Sequence, residues 1–148
     1  MLAIASDHAG YVLKCEVMKH LDEKGISYED LGTYDSEKSV DYPDYGQLVG
    51  EAVANSTHEH GIIICGTGIG ISIAANKVPG VRAALCTDTY MARMSREHND
   101  ANVLALGARV IGTGLALDIV DTWLNASFLG ARHKIRVDKF KSIENNYK

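Results

Sequence analysis

The chain has 148 residues, enough for one domain with a buried core and too few for a separate substrate-binding domain. Hydrophobic residues make up 46% and charged residues 23%, which argues against a disordered, collagen-like or coiled-coil chain. The net charge of -4 argues against a nucleic-acid binder that neutralises many phosphates, yet six of the 15 Lys and Arg fall in residues 130–148, beside two of the 19 Asp and Glu. An acidic body thus ends in a basic tail suited to a local anion.

Strand character recurs along the chain at Leu2 to Ala5, Ile26 to Leu31, Ile62 to Cys65, Val81 to Cys86 and Val103 to Leu106. Helical spacing fills the intervals, as in Val12, Val17 and Leu21, or Leu48, Val49, Ala52 and Val53. Gly25 stops the first helix, Pro43 opens the second and Pro79-Gly80 ends the third. Five strands, each followed by a helix, predict a parallel sheet covered on both faces, wound by right-handed crossovers in the order 2-1-3-4-5. The segment Gly32 to Tyr42 is the longest connection and reads as a solvated loop rather than a substrate lid. From Lys134 to Tyr147, Ile135, Val137, Phe140 and Ile143 alternate with charges, which predicts a projecting surface helix able to pack on a second copy. The first apolar run ends at Asp7 without a basic flank, too short for a signal peptide, and no segment approaches the ~18 apolar residues of a membrane span. The expected compartment is the cytoplasm.

Ligands of open α/β sheets bind at the carboxyl ends of strands, where the winding reverses. The privileged segments are therefore Ser6 to Gly10, Cys65 to Gly70 and Gly107 to Arg109. Gly66, Gly68 and Gly70 open the third helix, so backbone N–H groups can converge on an anion without Cβ interference. The segment is neither a dinucleotide fingerprint nor a P-loop, because Ile71 stands where a glycine or a Gly-Lys-Ser/Thr sequence is needed. Ile71 also occupies the place of the arginine that a cysteine phosphatase requires. Cys65 precedes a helix N-terminus, a setting that favours the thiolate.

Other candidates are weaker. Cys15 and Cys86 read as small core residues, and three cysteines without C-x-x-C spacing suggest free thiols. His98 and Asn99 follow the fourth helix, where a histidine often serves only the helix dipole. Asp7 reads as a helix cap and His8 as a surface residue, and His20, His58 and His60 as solvated residues. His58-Glu59-His60 is a poor metal site because alternate residues share a ligand only on a strand. Arg132 and Arg136 are spaced i, i+4, so one helix face can present both to a phosphate.

Taken together, Ser6-Asp-His-Ala-Gly10, Asp41-Tyr-Pro-Asp44, the run from Cys65 to Lys77, Arg96-Glu-His-Asn-Asp-Ala-Asn102 and Gly107-Ala-Arg109 resemble the type-B ribose-5-phosphate isomerases and their phosphosugar isomerase relatives. The resemblance covers nearly the whole chain. It implies a single-domain Rossmann-like three-layer sandwich over residues 1–148, acting as a homodimer or higher oligomer, with residues 130–148 reaching the partner subunit. The implied reaction interconverts ribose 5-phosphate and ribulose 5-phosphate through an enediolate, with no metal and no cofactor. In that scheme Cys65 is the base, Thr67 orients or relays to the thiol, and the amides of Gly66, Gly68, Ile69 and Gly70 hold the enediolate oxygen. His98, assisted by Asp7, opens the furanose ring, and Asn99 contacts the sugar. His8, Arg109, Arg132 and Arg136 bind phosphate. The family branch with a glutamate base places it where this chain has Ile71, which assigns the chain to the cysteine branch. Allose 6-phosphate, galactose 6-phosphate or free aldoses are alternative substrates, and a silent phosphosugar-binding module is the non-enzymatic alternative.

Overall fold

The computed structural model describes all 148 residues as a five-stranded sheet and six helices. In chain order these are β1 (Leu2–Ser6), α1 (Tyr11–Glu23), β2 (Tyr28–Asp30), α2 (Tyr42–Ala54), β3 (His60–Cys65), α3 (Ile69–Asn76), β4 (Ala83–Leu85), α4 (Thr89–Glu97), β5 (Val103–Gly107), α5 (Thr113–Asn125) and α6 (Arg132–Asn146). All strand pairs are parallel, and both faces of the sheet are covered. Leu2, Ile4, Ile62, Ile64, Leu104 and Leu106 face α1, α4 and α5, where Val17, Ala92, Ile119 and Trp123 complete one core. The alternate residues Ala3, Ala5, Ile63, Cys65 and Ala105 face α2 and α3, meeting Val49, Val53, Ile71 and Ala75. Each isoleucine fully removed from water in β3 contributes about 1.5–3 kcal/mol. No helix is long and apolar enough to cross a membrane.

The strand order is β2-β1-β3-β5-β4, which corrects the expected 2-1-3-4-5 at its far end. Every residue of β5 is buried, whereas β4 has three half-buried residues and follows half-buried Arg82. A strand apolar on both faces belongs inside the sheet, and a short strand with a polar flank suits its edge. The expected reversal between β1 and β3 is present, with Ser6 paired to Ile64. Within α1, the core-facing series is Leu13, Val17 and Leu21 at i, i+4 spacing, while Val12 is 65% exposed.

The chain after β2 is anchored before it becomes a loop. Ser6 N–H donates to the Gly32 carbonyl and Thr33 N–H to the Ser6 carbonyl, both at 2.8 Å. Beneath this turn lies Lys14, wholly buried, with Nζ 2.6 Å from Asp30 Oδ1 and hydrogen-bonded to the Thr33 carbonyl. Replacing Lys14 with Met leaves Asp30 and that carbonyl without their cation. We expect a loss of about 3 kcal/mol, read as a lower urea midpoint at unchanged m-value; an unchanged midpoint would show that the pair is dispensable.

Candidate active site in two halves

Where β1 and β3 part company, the carboxyl ends of three neighbouring strands carry one cluster of functional groups. Cys65 ends β3 and is 4% exposed, and its Sγ accepts the Gly68 N–H at 3.1 Å. Gly68 can aim its N–H there because its φ is +78°, and a Cβ would lie 2.9 Å from the Leu106 carbonyl carbon. Gly107 is needed for the same close approach, since its Cβ would lie 2.6 Å from the Thr67 carbonyl carbon.

Thr67 is exposed, and its Oγ1 accepts the Ile69 N–H at 3.2 Å. The hydroxyl thus steadies the loop through its oxygen and keeps its proton free to donate. Gly68 and Ile69 have their N–H groups engaged, leaving Gly66, Thr67 and first-turn Gly70 as the better placed anion donors.

Asp7 is 5% exposed and accepts the Gly10 N–H on Oδ1 at 3.0 Å, fixing the turn into α1. His8 accepts the Val40 N–H on Nδ1 at 3.2 Å, so a neutral His8 presents its other nitrogen, Nε2–H, as a donor. Both ends of loop 32–42 are thereby tied to the carboxyl end of β1, one at Ser6 and the other at His8, while Lys38 and Ser39 stay exposed. With β5 beside β3, Arg109 N–H bonds the Gly66 carbonyl at 2.9 Å, and its guanidinium Nη1 lies 3.5 Å from where a Gly66 Cβ would stand. In the order 2-1-3-4-5 that side chain would sit a further ~4.8 Å away.

The second group occupies the opposite pole. Helix α4 is capped by Asp88, beyond the carboxyl end of β4, and runs back along the sheet, so His98 and Asn99 emerge near the amino ends of the strands. Gly61 at the start of β3 donates to the Asn102 carbonyl at 3.0 Å, which fixes this level. The length of β3 puts on the order of 15 Å between the two poles. His98 does not meet Asp7 or Cys65 of its own chain. At this pole it stacks on His133, with ring centroids 4.1 Å apart and planes 11° from parallel. Arg132 and Arg136 flank His133, and both are exposed. Asn99 opens onto a groove of about 640 Å³ between α6 and the β4 edge, shared with Arg82, Asp100, Val137, Phe140 and Glu144.

Two side chains in these clusters were not singled out from the sequence. The Tyr42 ring lies against Gly70, where a Cβ would fall 2.6 Å from Cζ; its signal was the motif Asp41-Tyr-Pro-Asp44. His133 stands between the two tail arginines, and a search for an i, i+4 basic pair passes over it. The other histidines are not solvated as expected. His58 is buried between Thr57 and Glu29, His20 bonds Asp121 at 2.8 Å, and His60 meets the edge of Trp123 at 5.2 Å. Burial lowers the His60 proton affinity, with the Arg96 charge adding to it. His58 and His60 point apart, so they do not share a ligand. Cys15 is half-buried on α1 rather than a core residue, whereas Cys86 is a core thiol pushed up to about 11 by burial.

The model of the Ribose/Galactose Isomerase family matches residues 2–140 of this parallel-sheet chain. The chain belongs to that family. It is 51% identical over 143 residues to ribose-5-phosphate isomerase B of Escherichia coli, covering 97% of this chain and 95% of that one. The structure of Clostridium thermocellum ribose-5-phosphate isomerase B superposes with a TM-score of 0.97 at 61% identity, over 99% of both chains. Ribose-5-phosphate isomerase B from Mycoplasma genitalium, solved with bound ribulose 5-phosphate, gives 0.93 at 43% identity, over 97% of this chain and 95% of that one.

Proposed function

We propose that this protein interconverts ribose 5-phosphate and ribulose 5-phosphate, with Cys65 moving the proton. The observation that carries the reading is the Cys65 sulfur, held by the Gly68 N–H at a helix entrance beside Asp7, His8 and Arg109. Similarity to isomerases of this substrate pair supports it.

The closed sugar has no carbonyl, so the ring opens first. His98 donates a proton to the ring oxygen, and Asp7 accepts one from the anomeric hydroxyl. The thiolate then removes the C2 proton; that electron pair becomes the C1–C2 double bond, and the carbonyl pair moves onto O1. Amides of Gly66, Thr67 and Gly70 stabilise this oxygen, where charge appears only as the proton leaves. The O2 proton passes to O1, the thiol returns its proton to C1, and the C2 carbonyl forms with no net redox change.

His98 and Cys65 lie at opposite poles of one chain, so the reading requires a second copy. Its His98, Asn99, Arg132 and Arg136 face the Cys65 pole of the first, and two-fold symmetry builds two such sites. His8 Nε2–H and Arg109 of one chain, with Arg132 and Arg136 of the other, bind the phosphate. The expected compartment remains the cytoplasm.

Incubation with ribose 5-phosphate in D2O tests the reading. We expect ribulose 5-phosphate carrying deuterium at C1, formed faster than any ketose from allose 6-phosphate, galactose 6-phosphate or free ribose. Absence of turnover with every sugar phosphate would leave a binding module instead.

A further inference from the structure

Helix α6 is fifteen residues long, and His133 is its sole buried side chain, 7% exposed. The helix meets its own body at two points: Glu144 Oε1 accepts the Gly80 N–H at 3.0 Å, and His133 lies against the face of His98, at 4.1 Å and 11°. The backbone leading to this contact is specifically shaped. Leu129 N–H donates to the Glu97 carbonyl at 3.0 Å, joining the tail to the last residue of α4. Gly130 and Ala131 then take φ of +69° and +50°, and His133 N–H closes the turn on the Gly130 carbonyl. Ala131, at ψ -126°, holds a conformation that a residue with a Cβ rarely adopts. Such a turn persists where its surroundings impose it, and here it delivers one imidazole onto another.

We propose that His133 is a positioning residue for ring opening, its stacked ring holding the His98 imidazole so that a nitrogen edge faces the sugar bound by the neighbouring copy. The inference rests on the reading of His98 as the ring-opening acid. A ring packed on one face of His98 restricts its rotation while leaving both edge nitrogens accessible. The charges nearby agree with this role. Burial, His98, Arg132 and Arg136 all lower the proton affinity of His133, in that order. These neighbours disfavour a charge on His133, and a ring without one does not oppose the proton that His98 donates.

The chemistry of the substrate pair supplies a test that a purely structural role would not pass. Ribose 5-phosphate enters as a closed furanose. Ribulose 5-phosphate cannot form one, because the hydroxyl it would need is esterified to phosphate. Exchange of its C1 hydrogen with D2O therefore needs Cys65 but no ring opening. We expect His133→Ala to lower kcat with ribose 5-phosphate by about 30-fold or more, while the exchange rate of ribulose 5-phosphate stays within about twofold of wild type. His133→Phe keeps a stacked ring without its nitrogens and is expected to recover kcat to within about threefold of wild type.

Normal turnover of ribose 5-phosphate by His133→Ala would overturn the proposal, as would equal loss of turnover and exchange. A Phe variant no better than Ala would overturn it too, since the ring nitrogens would then matter more than the stack. His98→Ala separates the two levels of the argument. If it shows the split and His133→Ala does not, the positioning role fails while ring opening by His98 stands; if it shows none, both fail.

Discussion

Subunits carrying Cys65→Ala and subunits carrying His98→Ala, each nearly inert with ribose 5-phosphate, will together regain about a quarter of wild-type turnover when co-refolded. The expectation follows from the placement of the two residues at opposite poles of one chain. In a mixed dimer, one site pairs the Cys65 of the His98→Ala chain with the His98 of the Cys65→Ala chain and is intact. The other site lacks both groups. Random association makes about half of the dimers mixed, each with one working site of two. Turnover measured before and after joint refolding decides the matter, with size exclusion confirming a dimer. A mixture that stays inert would mean that each chain builds its own site, against the topology of α4 and β3.

Cys65→Ala should lower kcat with ribose 5-phosphate by about 10³-fold and abolish C1 exchange of ribulose 5-phosphate, while equilibrium titration finds its affinity for ribulose 5-phosphate within about threefold of wild type. The magnitude reflects loss of the group that takes the C2 proton, which no neighbour can replace. Asp7 has one oxygen fixed on Gly10, and His8 has Nδ1 fixed on Val40. Binding survives because the phosphate and the enediolate oxygen are held by other groups. Near-normal turnover in this variant would assign the proton transfer elsewhere.

The two experiments probe different sources of information. Cys65 and its glycines are local in the chain, and their meaning could be read from spacing: a strand end, a helix start and small residues between them. The same holds for β1, β3 and β5, whose apolar runs are buried from end to end or nearly so. Val12 and Leu48 show where such reading fails. Both fit an apolar list, yet they are 65% and 45% exposed, because a helix buries a stripe at i, i+4 spacing rather than every apolar residue. His58 and His20 fail for the opposite reason: polar neighbours in sequence hid partners as distant as Glu29 and Asp121.

By itself the sequence determined the α/β class, the reversal beside Cys65, the glycine-rich anion cradle and the basic tail. Those are properties of period, turn chemistry and composition, each written within a few consecutive residues. Only the tertiary structure decided that β5 lies between β3 and β4, which brings Arg109 to the Gly66 loop. It also decided that His98 stands with His133 at the far pole, away from Asp7. Strand order and helix direction place residues by contacts between distant segments. Two histidines 35 positions apart become stacked rings only because α4 runs back along the sheet and a turn at Gly130 and Ala131 sends α6 across its end.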